Sequence, residues 1–147
     1  QEDGYVVFSE PNRQPSIKIS WNYVHRLTNL VRARVSVSTQ TLNELDHFFR
    51  APLQPAMRLI DRRRVKRLTC PRGRVVYQVS GETRAFYTCL PSSNFCACYS
   101  YLHQVLRKQE IPMCKHVLAS RLAEALGACE DVSCTDDTML FMLQSLC

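Results

Sequence analysis

Two short pairs constrain this chain more than anything else in it: Cys96-Ala-Cys98 and, after a spacer of fifteen residues, Cys114-Lys-His116. In an extended segment, side chains two apart lie on one face, so Cys96 and Cys98 can reach one ion together. The second pair stands where Pro112 and a following apolar periodicity announce the start of a helix. Three thiolates and one imidazole complete a tetrahedral shell, the usual form of a structural zinc site. The expectation is one structural Zn²⁺ held by Cys96, Cys98, Cys114 and His116. With every position filled by protein, water activation at the ion is not expected. The shell carries a net charge of about −1, which helix N-terminal amides and Lys115 would offset.

The competing reading of the cysteines is a secreted domain stapled by disulfides, because there are eight of them: Cys70, Cys89, Cys96, Cys98, Cys114, Cys129, Cys134 and Cys147. Three arguments oppose it. A chain of 147 residues, 46% of them hydrophobic, has a core without staples. Cys96 and Cys98 are too close to bridge each other comfortably. Five cysteines remain outside the two pairs, an odd number that favours a reducing compartment. No apolar stretch approaches the ~20 residues of a spanning helix, so no membrane partner is expected. Residues 1–20 hold no apolar run of the secretory-leader kind. Neither a GxxxxGK[ST] nor a GxGxxG motif is present, so any ATP chemistry would come from a partner.

The periodicity predicts an α+β chain. Residues 4–8 read as a short strand, and 9–19, broken by prolines, as irregular. A helix capped by Ser20 would carry Trp21, Val24, Leu27, Val31 and Val35 on one side. Thr41-Leu-Asn-Glu44 has the form of a capping box, and Pro52 and Pro55 end the helix it opens. A further short helix is expected over 56–63, with Met57 and Ile60 inward. The period then changes to two. Val65–Thr69, Val75–Val79 and Arg84–Leu90, joined by turns at 70–73 and 80–82, predict a three-stranded antiparallel meander. Helical spacing returns over 101–108, with Leu102, Val105 and Leu106 on one side, and over 113–126, stopped by Gly127. A last helix begins near Thr135-Asp136-Asp137 and runs to about Leu146. The chain thus divides into a mainly helical region 1–63, a meander with the zinc site over 64–127 and a C-terminal helix within 128–147. Together they are expected to form one compact domain.

Charge is uneven. The chain carries +6 in all, yet ten basic residues stand between Arg50 and Arg84 against two acidic ones, Asp61 and Glu82. The excess of +8 leaves the remainder slightly acidic. A basic stretch of this kind suggests a phosphate-facing patch, and Arg62, Arg63, Arg64, Lys66, Arg67, Arg72 and Arg74 are the candidate nucleic-acid contacts. A solvated arginine face, or arginines paired with an acidic partner, remain open. Tyr77, Phe86 and Tyr87 interleave with the arginines as a single-strand stacking platform would. Alternation with Tyr87 would instead turn Phe86 into the core.

The pattern CxC, spacer, CxH, with Ala119 three residues after the histidine, resembles the SWIM-type zinc finger. With Gly73-Arg-Val-Val-Tyr77-Gln-Val79, Tyr87-Thr-Cys-Leu90 and Val105-Leu-Arg-Lys108, the stretch from about 55 to 125 is similar to the SWIM-bearing subunit of the Shu complex, the SWS family. That resemblance implies a nuclear, non-catalytic homologous-recombination and DNA-repair factor. It also implies an obligate heterodimer with a RecA-like recombinase paralogue. The pair would bind single-stranded DNA and promote or protect the recombinase filament. The zinc ligands carry over, and so does Ala119 as a small packing position behind the site. SWIM fingers also occur in ubiquitin ligases and other nucleic-acid enzyme complexes, so an interaction module of that kind is the alternative. His25, His47 and His103 stand alone and have no catalytic company.

The final helix points to a partner. Met139, Met142, Leu143 and Leu146 form an apolar stripe, while Leu140 and Phe141 lie off it. A helix apolar on most of its circumference must be covered on more than one side. One face is expected on the zinc module and the other, through Met139, Leu140, Phe141, Met142 and Leu143, on a second protein. Glu130, Asp131, Asp136 and Asp137 would favour a basic rim on that protein. A helix buried wholly within the monomer is the other possibility.

Overall fold

The computed structural model of the chain describes residues 5–8, 17–20 and 39–146, with Glu82 and Arg84 excepted. The helix expected after Ser20 lies outside the described residues. Strand β1 (Tyr5–Phe8) matches the expectation, but part of the segment expected to be irregular is a second strand, β2 (Ile17–Ser20). The two pair antiparallel, Tyr5 opposite Ser20. The Ile-Lys-Ile-Ser alternation is a strand pattern.

Helix α1 (Thr39–Phe49) starts two residues before the expected box, so Thr41 lies inside it. Glu44 accepts from the Gln40 side chain instead. Helix α2 (Leu53–Asp61) begins earlier than expected, with Pro52 at its N-cap and Pro55 in its first turn. The prolines open α2 because a first turn has no use for the missing N–H. Leu45 and Phe49 of α1 and Leu53, Ala56, Leu59 and Ile60 of α2 are buried; Met57 packs at the edge of the same cluster.

The meander is present as β3 (Val65–Thr69), β4 (Val75–Ser80) and β5 (Phe86–Leu90), antiparallel throughout. The turn at 70–73 is closed by Gly73 N–H donating to Cys70 O at 2.9 Å, with Gly73 at φ +77°. Two short strands flank the meander. β6 (Phe95–Cys96) pairs antiparallel with β5, and β7 (Glu130–Ser133) pairs parallel with β3, giving the order β6-β5-β4-β3-β7. β7 was not expected: Glu-Asp-Val-Ser has one apolar residue and joins only at an edge.

Helix α3 (Lys115–Leu126) crosses one sheet face and packs against α2. On this face Val65, Tyr77, Val79, Cys89 and Cys96 meet Val117, Leu118 and Leu122 in one continuous core. Gly127, at φ +64°, caps the helix in the left-handed region, as the sequence leads one to expect. On the opposite face Leu68, Cys70 and Val76 form a smaller cluster with Met139 of α4 (Asp136–Gln144). Thr135 caps α4, its hydroxyl accepting from Thr138 N–H at 3.1 Å.

Two expectations about the C-terminal segment are therefore corrected. α4 packs on the far face of the sheet from the zinc-ligand pairs. Its acidic approach is used within the chain: Glu130 pairs with Lys66 at 3.5 Å, Asp131 with Arg67 at 2.7 Å and Asp136 with Arg72 at 3.6 Å. The parallel register of β7 on β3 sets the first two pairs opposite each other.

Candidate metal centre

The four residues of the two pairs converge. Cys96, Cys98, Cys114 and His116 are all buried, and one ligand atom from each lies within 4.8 Å of the others. Cys96 ends β6, held opposite Cys89 by the ladder. Cys98 follows the strand end, and its Sγ accepts from Tyr101 N–H at 3.3 Å. Cys114 is the extended N-cap of α3, and His116 is the second residue of that helix. The His116 ring presents Nδ1 to Cys96 Sγ at 3.8 Å. A tetrahedral ion with ordinary Zn–S and Zn–N bonds sets such an edge at about 3.6 Å. The other ring nitrogen, Nε2, is buried without a hydrogen-bond partner.

The thiols fit a cation. Hydrogen bonds from Cys114 and then Cys96 hold the Cys98 thiol far below the usual range. The bonds Cys114 makes to Cys96 and Cys98, together with burial, push its own thiol far up. A set of buried sulfurs that share protons in this way can all ionise once a divalent cation joins them. Among the described residues seven cysteines are free and none is bridged.

Around the ligands, the structure adds contacts the sequence did not single out and buries Ala119, the packing position the resemblance implies. Tyr87 stacks on His116, ring centroids 4.2 Å apart and planes 22° apart, which fixes the imidazole. Cys89 is a fourth buried thiol beside Cys96. Ser120 Oγ donates to His116 O at 2.8 Å, and Ala119 is fully buried one turn after the histidine. The assignment of Phe86 to the core is reversed: Tyr87 turns inward and Phe86 is 61% exposed. Register decides this. Tyr87 lies opposite Val79 on the α3 face, and Phe86 opposite Ser80 on the other. Tyr77 is buried, so the three aromatics form no common platform.

The zone over 101–108 is helical, but Tyr101–Arg107 winds as a π-helix, with Lys108 N–H donating to His103 O five residues back. The wider turn rotates Tyr101 and Val105 onto the core and leaves Leu102 and Leu106 exposed, against the expected stripe.

The basic residues are not gathered into one patch. Arg62, Arg63 and Arg64 stand at the α2–β3 turn, and Arg72 and Arg74 at the far hairpin. Lys66 and Arg67 lie between them on opposite sheet faces. Lys66, Arg67 and Arg72 already hold carboxylates, and the hydrogen bond that Arg67 donates to Asp131 raises the Arg67 pKa above its usual value. Of the candidate partner residues, Met139 is buried and Met142 and Leu143 are half-buried, while Leu140 and Phe141 are 54% and 73% exposed. His47 is exposed and His103 stacks on Tyr99. His25 lies outside the described residues.

No family model and no solved structure matches the chain. Named relatives do. The chain is 33% identical over 113 residues to zinc finger SWIM domain-containing protein 7 of Homo sapiens, covering 77% of this chain and 81% of the relative. The chain belongs to this family. Against the protein of the same name from Mus musculus it is 34% identical, over 77% of this chain and 74% of the relative. Against that from Danio rerio it is 38% identical over 88 residues, 60% of this chain and 63% of the relative. It is thus a SWIM-type zinc finger protein of the Shu complex family, and the buried cluster is its candidate metal site. The relatives' names describe a zinc finger and no enzyme class.

Proposed function

We propose that this chain is the non-catalytic, zinc-holding subunit of a nuclear recombination-repair complex. It pairs with a RecA-like recombinase paralogue, binds DNA and promotes or protects recombinase filaments on single strands. One observation carries the reading: in a chain of this family, four donors of structural-zinc type converge in the core with no position left for a reactant. One Zn²⁺ held by Cys96, Cys98, Cys114 and His116 supplies folding energy there, by tying the β6 end to the start of α3.

Two features support the partner and the DNA. Leu140 and Phe141 stand exposed on the outer side of α4, a pairing surface next to an anchored inner side. The arginines at the α2–β3 turn supply positive charge that no acid among the described residues takes up. The test is Leu140→Asp with Phe141→Asp, followed by co-purification from cells. Loss of a RecA-like partner with unchanged zinc content and melting is the expected result. Retained pairing would contradict the assignment of this surface.

A further inference from the structure

The α2–β3 turn brings together basic side chains that the sequence holds far apart. Arg58 of α2, Arg62 and Arg64 of the turn and Lys115, the first residue of α3, line one small cleft with Ser80 and Gly81 at the end of β4. Three strands of backbone hold it in shape. Arg63 takes φ +52°, Arg64 N–H reaches Leu59 O at 2.9 Å, and Ser80 N–H reaches Arg64 O at 3.0 Å. Gly81 has no room for a side chain, since a Cβ there would stand 2.9 Å from the Tyr87 ring.

The cations of this cleft differ from those elsewhere on the sheet. Lys66, Arg67 and Arg72 each hold a carboxylate, whereas Arg58, Arg62, Arg64 and Lys115 hold none among the described residues. Four like charges around one notch repel one another, and a single anion between them removes that cost. The cavity measures about 40 Å³. A site for a single water needs only about 10–15 Å³, so the notch has room for a small group such as a tetrahedral oxyanion. Arg58 and Arg62 are exposed at the rim, so a ligand can continue past the notch. Guanidinium forks match phosphate oxygens two at a time.

We infer that this cleft holds a backbone phosphate of a nucleic-acid strand, through Arg58, Arg62, Arg64 and Lys115. The inference rests on the DNA-binding part of the function proposed above and names its site. It also ties that site to the metal. Lys115 stands between the ligands Cys114 and His116, and Gly81 abuts Tyr87, which stacks on His116. Binding at this one notch reads phosphate and not base, so it is tolerant of sequence.

The experiment measures anisotropy of a labelled oligo-dT with the zinc-loaded full chain across a salt series. Arg58→Glu with Arg62→Glu is compared with Arg107→Glu and Lys108→Glu, which remove the same charge from an exposed segment outside the cleft. The cleft pair should lose at least about tenfold in affinity, and the salt slope should fall by about 0.7 for each phosphate that is no longer neutralised. The other pair should change affinity by no more than about threefold, as expected for diffuse attraction. Arg58→Gln with Arg62→Gln repeats the comparison without charge reversal, and zinc content and melting check the fold of each variant. Equal losses in the two pairs, or no loss in the cleft pair, would overturn the cleft and leave DNA binding standing. No binding by the unmodified chain would overturn both. Competition by poly-glutamate as effective as by unlabelled oligo-dT would make the occupant an acidic protein segment. Saturation by inorganic phosphate without displacement of the oligonucleotide would make it a small-anion site. Either result overturns the inference.

Discussion

The two faces of the sheet are finished in different ways. On the α3 face, three helices and the strands bury one continuous cluster, and the four metal donors are part of it. On the other face, among the described residues, Leu68, Cys70, Val76 and Met139 form the buried set, under one short helix whose Phe141 and Leu140 look outward. The first face is closed by the chain itself, with the candidate metal donors inside the cluster. The second is anchored by a few side chains and by the ion pairs Lys66–Glu130 and Arg72–Asp136, which in such exposed settings contribute about 0–1 kcal/mol each. Among the described residues, the larger share of buried apolar surface therefore lies on the first face, while Leu140 and Phe141 stay exposed on the second.

The largest expected effect breaks the first face. Structural zinc sites of this donor type bind with about 10–16 kcal/mol, as much as the whole stability of a typical domain, about 5–15 kcal/mol. Stripping the metal with a chelator should abolish amide protection across α3, β5 and β6. Protection that survives there, or that fails first in α4 and β7, would reverse the comparison. The next effect sets one face against the other directly. Leu118→Ala, in the middle of the continuous core, should cost about 3–5 kcal/mol, and Met139→Ala about 2 kcal/mol, because the walls of the smaller cluster are partly exposed and can close on the void. Denaturant titration of the two variants decides; an equal or larger cost at Met139 would show that the second face is a full core. The smallest effect sharpens the account of helix ends on the first face. α3 ends on Gly127 and α2 on Arg63, both in the left-handed region. Arg63→Gly should therefore stabilise the chain by up to about 1 kcal/mol, read as a raised denaturation midpoint. A lowered midpoint would mean that the Arg63 side chain holds the turn.

What was legible in the sequence had a local cause. Val65–Thr69, the Cys70–Gly73 turn, the Gly127 stop and the start of the last helix near Thr135 each follow from residues within a few positions, and all stand where expected. The metal donors were legible because two spaced pairs need only one fold to bring them together. Features fixed by remote pairing were not. β7 exists because β3 offers an edge to it, and Glu130 and Asp131 look like surface acids until the register sets them against Lys66 and Arg67. The facing of Phe86 and Tyr87 depends on which strand residue lies opposite, which alternation alone leaves ambiguous by one position. Leu102 and Leu106 were misplaced because a π-helix turns by a different angle per residue than the spacing assumed. The cleft joins segments more than fifty positions apart: the basic run marked Arg62 and Arg64, but nothing local in the sequence ties them to Arg58 and Lys115.

The central claim is that one zinc ion, held by Cys96, Cys98, Cys114 and His116, completes the core. The most direct measurement is elemental analysis with native mass spectrometry on the purified full chain and on Cys114→Ser. The account predicts one zinc per unmodified chain, and for Cys114→Ser either a metal-free, unfolded product or no recoverable protein. One zinc per chain in a normally melting Cys114→Ser variant, or a metal-free unmodified chain with the native melting transition, would contradict it.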